Sequence, residues 1–338
     1  MRGVVWLRRD LRLQDQPALT AACADCDDVI PLFVFDGPLL RSRQFGPPCV
    51  TFMLSCLDEL ADALAARGLA LQWRRGNQIE EVLRFVTDVK ADAAYWNRDY
   101  EPLAIQRDRK VQQALMTRGV AVRTFKDHVV FEAEEIRGST GDPLQRYSAY
   151  RARWWTKWHA ATPPLLSSPA RLRGQRTGAV PPLTALPTAE DLGYQTVPLS
   201  IKSGEKEAQR RLRWFLDGPI HTYVEGRNLP AIDGTSKLSP HFRFGTLSVR
   251  TAVHAALGTL AKADHPPRRD VFTWVDELIW REFFSKSCPH FHKWPPVRSE
   301  ARMDCRDPVC LEQSGIVSMP PGVKDRPVIR WWMQACGS

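Results

Sequence analysis

Apolar residues come in short blocks through the first third of the chain and at helical spacing through the later part. Val4-Val5-Trp6-Leu7 is a continuous apolar run of strand length, and Ile30-Pro31-Leu32-Phe33-Val34-Phe35 is a second, with its proline at the start. Leu69–Trp73, Ala93–Trp96 and Val120–Phe125 repeat the signal. Between these runs apolar positions recur every three and four residues, most clearly over Val50–Arg67, and Gly68 stands where a C-cap glycine belongs. Buried strands alternating with helices predict an α/β domain over residues 1–131, a doubly wound, mostly parallel sheet. No G-x-G-x-x-G follows the first strand; the turn reads RRDLRLQDQPAL, which argues against a nicotinamide dehydrogenase.

Residues 132–202 read as a connector, partly helical. Over 162–198 it is rich in Pro, Ser, Thr and Gly, and paired prolines block regular ladders. It is preceded by RYSAYRARWWTKW, an aromatic and basic run. Core packing is the expectation for Trp154 and Trp155, with nucleic-acid contact as the alternative use of the run. From Ser203 the spacing is helical and no strand alternation returns, so residues 203–294 form an all-α domain. The tail over 295–338 has scattered Cys, Pro and Met and no such pattern.

The length of 338 residues suits two domains. A net charge of +9 favours phosphate backbones or an anionic surface as partners and says nothing about fold. Twelve tryptophans are many, nine of them from Trp154 onward, and an indole can fill a core or stack on a base or flavin. The N-terminus, MRGVVWLRRDLRL, has no long apolar core and is neither a secretory signal nor a membrane span. Of the eight cysteines, Cys23 and Cys26 form a lone C-x-x-C without a second pair, so no metal site is expected. Reduced thiols and the absence of targeting signals point to a cytoplasmic protein without a membrane partner.

Two segments carry the chemistry: GTSKLSPHFRFGTLSVR over 234–250 and FTWVDELIWREFF over 272–284. Upstream of the first, Tyr223, Arg227 and Asn228 stand in a loop interrupted by Pro230 and Gly234. Thr235 and Ser236 add hydroxyls, and Ser239-Pro240 reads as an N-cap followed by an N1 proline. Helix-start amides with small hydroxyls make an anion site suited to a diphosphate, although alone they would be an ordinary N-cap. In the second segment Glu277, Trp280 and Arg281 fall at i, i+3 and i+4, on one side of a helix. The plain reading is a core indole beside an i,i+4 ion pair. The functional one is a surface for a flat, charged ligand.

Both segments closely resemble the DNA photolyase/cryptochrome family of blue-light flavoproteins. Leu11-Arg12-x-x-Asp15-x-Pro17-Ala18-Leu19, Trp96-Asn97-Arg98-Asp99-Tyr100-Glu101 and Arg107-Asp108 look like the family's N-terminal half. The resemblance implies an antenna domain over 1–131 and an FAD-binding helical domain. Tyr223, Thr235, Ser236, Lys237, Leu238 and Ser239 would hold the flavin phosphates, with Trp274 beside the flavin. Glu277 and Trp280 would be catalytic, the first hydrogen-bonding a flipped pyrimidine pair and the second stacking on it; Arg227 and Arg281 would meet the strand with them. The implied partner is DNA containing pyrimidine dimers, bound by a monomer. The implied reaction is carbon–carbon bond cleavage by light-driven electron transfer from reduced flavin.

Two departures matter. Lys237 stands where the family has Arg, which keeps charge but loses the planar fork. Leu103-Ala104 stand where folate-type members carry Asn-Glu, which argues against folate and leaves the antenna chromophore unidentified. For most polar residues of the N-terminal motifs, loop and cap chemistry is the expectation. A cryptochrome-like photoreceptor is the alternative function, disfavoured by Glu277, Trp280 and Arg281, which a sensor does not need.

The resemblance covers residues 1–294 and then stops. Back-translating Pro320 to Ser338 with suitable third bases and reading one base earlier yields A-A-W-C-E-G-Q-T-G-Y-P-V-V-D-A-G-M-R-Q, the family's next motif. Single-codon Trp and Met constrain that agreement, so the expectation is a shift of reading frame between Trp294 and Met319. On this reading the 338-residue chain is truncated, lacks a complete flavin site and by itself is a non-catalytic remnant.

Overall fold

The computed structural model describes residues 1–42, 45–169, 185–261 and 268–287. Part of the Pro-rich connector and the whole tail over 295–338 lie outside the described residues. In chain order the elements are β1 (Arg2–Leu7), α1 (Pro17–Asp25), β2 (Asp28–Asp36), α2 (Gly37–Leu40), α3 (Pro47–Ala65), β3 (Gln72–Gly76), α4 (Gln78–Asp88), β4 (Ala93–Asn97), α5 (Pro102–Thr117) and β5 (Ala121–Phe125). There follow α6 (Tyr147–Ala160), α7 (Glu205–Asp217), α8 (Tyr223–Gly226), α9 (Ser239–Phe244), α10 (Val249–Thr259) and α11 (Arg268–Ser287).

The five strands form one parallel sheet in the order β3-β2-β1-β4-β5. Alternate residues of β1 serve its two faces. Val5 and Leu7 pack with α1 and α3, whereas Val4 and Trp6 pack with α4 and α5. This double burial is why the strands read as unbroken apolar runs.

Two boundaries differ from the sequence reading. The third strand begins at Gln72 rather than Leu69. Leu69 and Leu71 are buried against the α3 side, but pairing starts at Leu32↔Gln72, so the apolar run marked burial and not the ladder. Pro31 lies inside β2, which opens at Asp28. It directly precedes the first residue paired to β3, at the end of that ladder, where a missing donor costs least.

The helical body packs around α11. Val271, Trp274, Val275, Leu278, Ile279, Phe283 and Phe284 are buried with Trp154 and Trp158 of α6, Phe215 of α7 and Val253 of α10. The expected packing role of Trp154 holds: it is 1% exposed and stacks on Trp158 at 5.4 Å. Trp155 is half-buried against Phe272 of α11.

The two bodies are joined by a buried charge network. Asp15, held at φ +51°, accepts from Ser248 and from Arg250 Nε at 3.0 Å. Arg250 Nη2 also donates to Asp127 Oδ1 at 3.0 Å, and Arg12 donates to the same carboxylate. Burial pushes the Asp127 carboxyl up, but Arg12 and Arg250 overcome it and hold it down at about 2. Asp15 further ties the connector, exchanging backbone and side-chain bonds with Leu166 at 3.0 Å. Gly245 completes the joint. It sits at φ +65° with a Cβ position 1.8 Å from the Arg9 carbonyl oxygen, so only glycine fits there.

His241 of α9 is fully buried at this joint, edge-on to Phe52 of α3, with Nδ1 2.8 Å from Thr246 Oγ1. Burial pushes its imidazole down to about 4, against an attraction to Glu207 that raises it only slightly. The folded protein thus refuses a proton that the unfolded chain accepts near pH 6.5. Stability is intact above pH 6.5 and falls as the pH drops toward 4, by about 3 kcal/mol at most. Urea unfolding at pH 7 and pH 4.5 measures this. His241→Gln should flatten the slope, and an unchanged slope in that variant would assign it to other groups.

Candidate active site

The loop from Arg227 to Leu238 is shaped by two glycines and one arginine. Gly234 passes so close to Gly226 that an added Cβ would lie 2.5 Å from the Gly226 carbonyl oxygen. Arg211 of α7, lying over Trp214 at 3.7 Å, reaches the loop through a fork. Its Nη1 and Nη2 donate to the two Asp233 oxygens at 2.9 and 2.8 Å. Its Nε and Nη2 also donate to the carbonyls of Ser236 and Thr235 at 3.0 and 2.9 Å. Lys237 adds a 2.8 Å contact to Asp233, whose carboxyl Arg211 first and Lys237 second hold down at about 2. Arg211 and Asp233 are 22 positions apart in sequence and carried no motif, so the clamp was not legible there.

Lys237 takes φ +49°, which turns the chain into α9. The helix starts one residue earlier than expected. The Leu238 carbonyl accepts from Phe242 N–H at 2.9 Å, so Leu238 is the N-cap and Ser239 the first helical residue. No side-chain cap bond is made. The hydroxyls of Thr235, Ser236 and Ser239 are half-buried and bonded to no described residue. Leu238 itself is buried, fixing the loop from beneath.

Tyr223, buried at the start of α8, meets Phe215 edge-on at 5.8 Å and carries the Arg227 guanidinium over its ring at 5.6 Å. The α8 start is held to α11 by Val224 N–H donating to Asp270 at 2.8 Å. Across this contact Arg227 Nη1 donates to Glu277 Oε1 at 2.7 Å. Glu277 is 3% exposed, and Arg227 Nε is buried with no hydrogen-bond partner among the described residues. Glu277 therefore pairs with Arg227 from another helix and not with Arg281 on its own.

Trp280, one turn along α11, is 7% exposed and stacks on Tyr147. Trp274 is buried on the same helix, tilted against Phe215 at 5.1 Å. Arg281 goes elsewhere. Its Nη1 donates to the His128 carbonyl at 2.6 Å, and burial together with Arg9 pushes its guanidinium down to about 10. The structure thus brings Arg227, Glu277 and Trp280 to one neighbourhood, and sends Arg281 to the joint with the α/β body. Glu282, which sequence reasoning passed over, anchors that side: it accepts from Val130 N–H and from the Tyr150 hydroxyl, both at 2.6 Å.

A second concavity of about 440 Å³ opens at the carboxyl ends of β1 to β4. Arg8, Arg9, Asp99 and Arg107 line it beside Phe35 and Phe244. Cap chemistry holds for two of the N-terminal motif residues. Gln16 caps α1 through Leu19 N–H at 2.7 Å, and Asn97 accepts from Ala18 N–H at 3.1 Å. Arg107 and Asp108 instead form a buried ion-pair cluster with Arg8. The expectation of loop and cap chemistry does not extend to these two: Arg107 lines the crevice, and Asp108, within α5, accepts from Arg8 and Arg107. Among the described residues no helix is long and apolar enough to cross a membrane, and no group of three metal-binding side chains occurs.

A sequence model described as DNA photolyase matches residues 3–169. The deoxyribodipyrimidine photo-lyase of Synechococcus sp. strain ATCC 27144 is 34% identical over 295 residues, covering 85% of this chain and 60% of that protein. An uncharacterized 31.6 kDa protein of Synechococcus sp. strain PCC 6716 is 34% identical over 281 residues, covering 82% of this chain and 97% of its own length. The crystal structure of a class III photolyase from Agrobacterium tumefaciens superposes with a TM-score of 0.73 at 26% identity, over 87% of this chain and 60% of that one. The chain therefore spans about 60% of the length of the photolyases it matches. On these matches, the chain belongs to the DNA photolyase/cryptochrome family.

Proposed function

We propose that this protein serves light-dependent repair of pyrimidine dimers in DNA, with reduced FAD as the electron donor. The observation that carries the reading is the buried Arg227–Glu277 pair beside Trp280, an acceptor and an aromatic platform on adjacent turns of α11. A dimer swung out of the duplex needs both: a polar group for base edges and a π-face to stack on.

The residues present fit the flavin's diphosphate. The hydroxyls of Thr235, Ser236 and Ser239 are uncommitted, while Arg211 holds the loop's carbonyls turned toward α7. These hydroxyls and the first amides of α9 would hold the phosphates, with Tyr223, Lys237 and Leu238 shaping the loop and Trp274 walling the adjacent core. FAD supplies the electron when bound and excited. The chain's own part is to hold the lesion: Glu277 accepts from a pyrimidine edge, Trp280 stacks, and Arg227 fixes the carboxylate. Arg281 supports this from the joint and reaches the strand only through the segment it buttresses. The crevice over β1 to β4, with arginines beside aromatic walls, takes the antenna chromophore.

Binding of the protein to duplexes with and without a dimer tests this. Binding should weaken with salt. Trp280→Ala should cost about 1–3 kcal/mol of dimer preference, the worth of one stacked base. Equal affinity for damaged and intact DNA would sink the assignment.

A further inference from the structure

Trp280 has almost no open ring surface, and Tyr147 covers one of its faces. The two rings lie 3.4 Å apart between centroids with 9° between planes, the geometry of a base on an indole. Phe284 lies near-parallel at 5.4 Å and Phe283 edge-on at 5.9 Å, so aromatic neighbours enclose the indole. A hydrogen bond from the Tyr147 hydroxyl to the Asp276 carbonyl at 3.0 Å holds the tyrosine ring in place.

We propose that Tyr147 occupies the stacking position on Trp280 and competes for it with the lesion, so that a flipped pyrimidine enters only by displacing it. The inference rests on the reading of Trp280 as the platform for the lesion.

The surroundings suit a ring that leaves and returns. Tyr147 is the first residue of α6, its N-cap Arg146 makes no side-chain cap bond, and Gly141 at φ +84° shapes the exposed turn before it. A helix end without a cap bond opens easily. One turn further on, α6 is fastened: the Tyr150 hydroxyl donates to Glu282 at 2.6 Å, and Arg151 Nε donates to Asp276 at 2.7 Å. The first turn can therefore open while the helix stays docked on α11.

The cap adds one cost, the displacement of Tyr147, to the entry of a flipped base. Intact duplex, held through its backbone with every base stacked, does not meet that cost. A dimer, already poorly stacked, flips readily and does meet it. Stacking of the base on Trp280 then replaces stacking of Tyr147, ring for ring.

The test compares the 338-residue protein with Tyr147→Ala, Tyr147→Phe and Trp280→Ala, by fluorescence anisotropy on duplexes with one dimer or none. Tyr147→Ala should tighten dimer binding about five-fold, the weight of one aromatic pair, and leave intact duplex unchanged. Tyr147→Phe, which keeps the ring and loses the bond to Asp276, should tighten it about two-fold. If Tyr147→Ala weakens dimer binding as Trp280→Ala does, Tyr147 is a buttress; the cap is then wrong and the platform stands. An unchanged affinity overturns the cap as well. If neither the parent nor any variant prefers the dimer, cap and platform fall together. Tyr147→Phe keeps the packing, so a folding defect confined to the alanine variant leaves the outcome decided.

Discussion

Replacing Arg250 with alanine should lower the unfolding free energy by about 3–5 kcal/mol, the cost of removing one partner from a buried ion-pair network. The guanidinium serves two carboxylates, those of Asp15 and Asp127, and three backbone carbonyls, those of Asp15, Asp127 and Lys126, at 3.0–3.4 Å. All three side chains are nearly inaccessible: Asp15 is 0% exposed, Asp127 2% and Arg250 4%. Without Arg250, Asp127 keeps Arg12, but the Asp15 carboxylate is left with one hydroxyl and one amide. Water cannot reach it without opening the joint between the bodies. Arg250→Lys should fall between parent and alanine, because an ammonium cannot span both carboxylates as a planar fork does. Denaturant unfolding of the three proteins decides the matter. A loss below about 1 kcal/mol in the alanine variant would mean that the joint rests on apolar contacts such as Phe52 on Phe244.

Arg227→Ala should be about as damaging, and it bears directly on the site. Glu277 is almost wholly buried, and its ionic partner among the described residues is Arg227 at 2.7 Å. Removing the guanidinium leaves a carboxylate in the core of the α8–α11 contact, which again costs about 3–5 kcal/mol. The double variant Arg227→Ala/Glu277→Gln should recover much of that loss, since the charge disappears with its partner. Glu277→Gln alone should be milder, because the amide oxygen still accepts from Arg227. Thermal unfolding of the four proteins completes the cycle. Additive losses with no recovery in the double variant would show that the pair does not act as a unit.

Much of the architecture was readable because each signal was local. Val4 to Leu7 and Ala93 to Trp96 are strands buried on both faces, so their apolar runs are unbroken. Gly68, at φ +83°, ends the α3 region as a C-cap glycine should. Tyr223, Thr235 to Ser239 and Glu277 to Arg281 were picked out through the family resemblance, whose motifs each lie within one loop or one helix.

What the chain could not disclose are partnerships across distance. Glu277 had a guanidinium four residues on, at the favoured helical spacing, yet it pairs with Arg227 fifty positions away. The neighbouring Arg281 is drawn to the His128 carbonyl at the joint. Tyr147 and Trp280, Arg211 and Asp233, and Asp15 with Arg250 meet only because α6, α7, α10 and the first βα turn converge around α11 and the sheet edge. Side-chain volume and periodicity along a few residues made the apolar faces legible and placed helix starts to within about a residue, as at α9. Tertiary structure decided which buried charge faces which, because desolvation makes each such choice depend on every element packed around it.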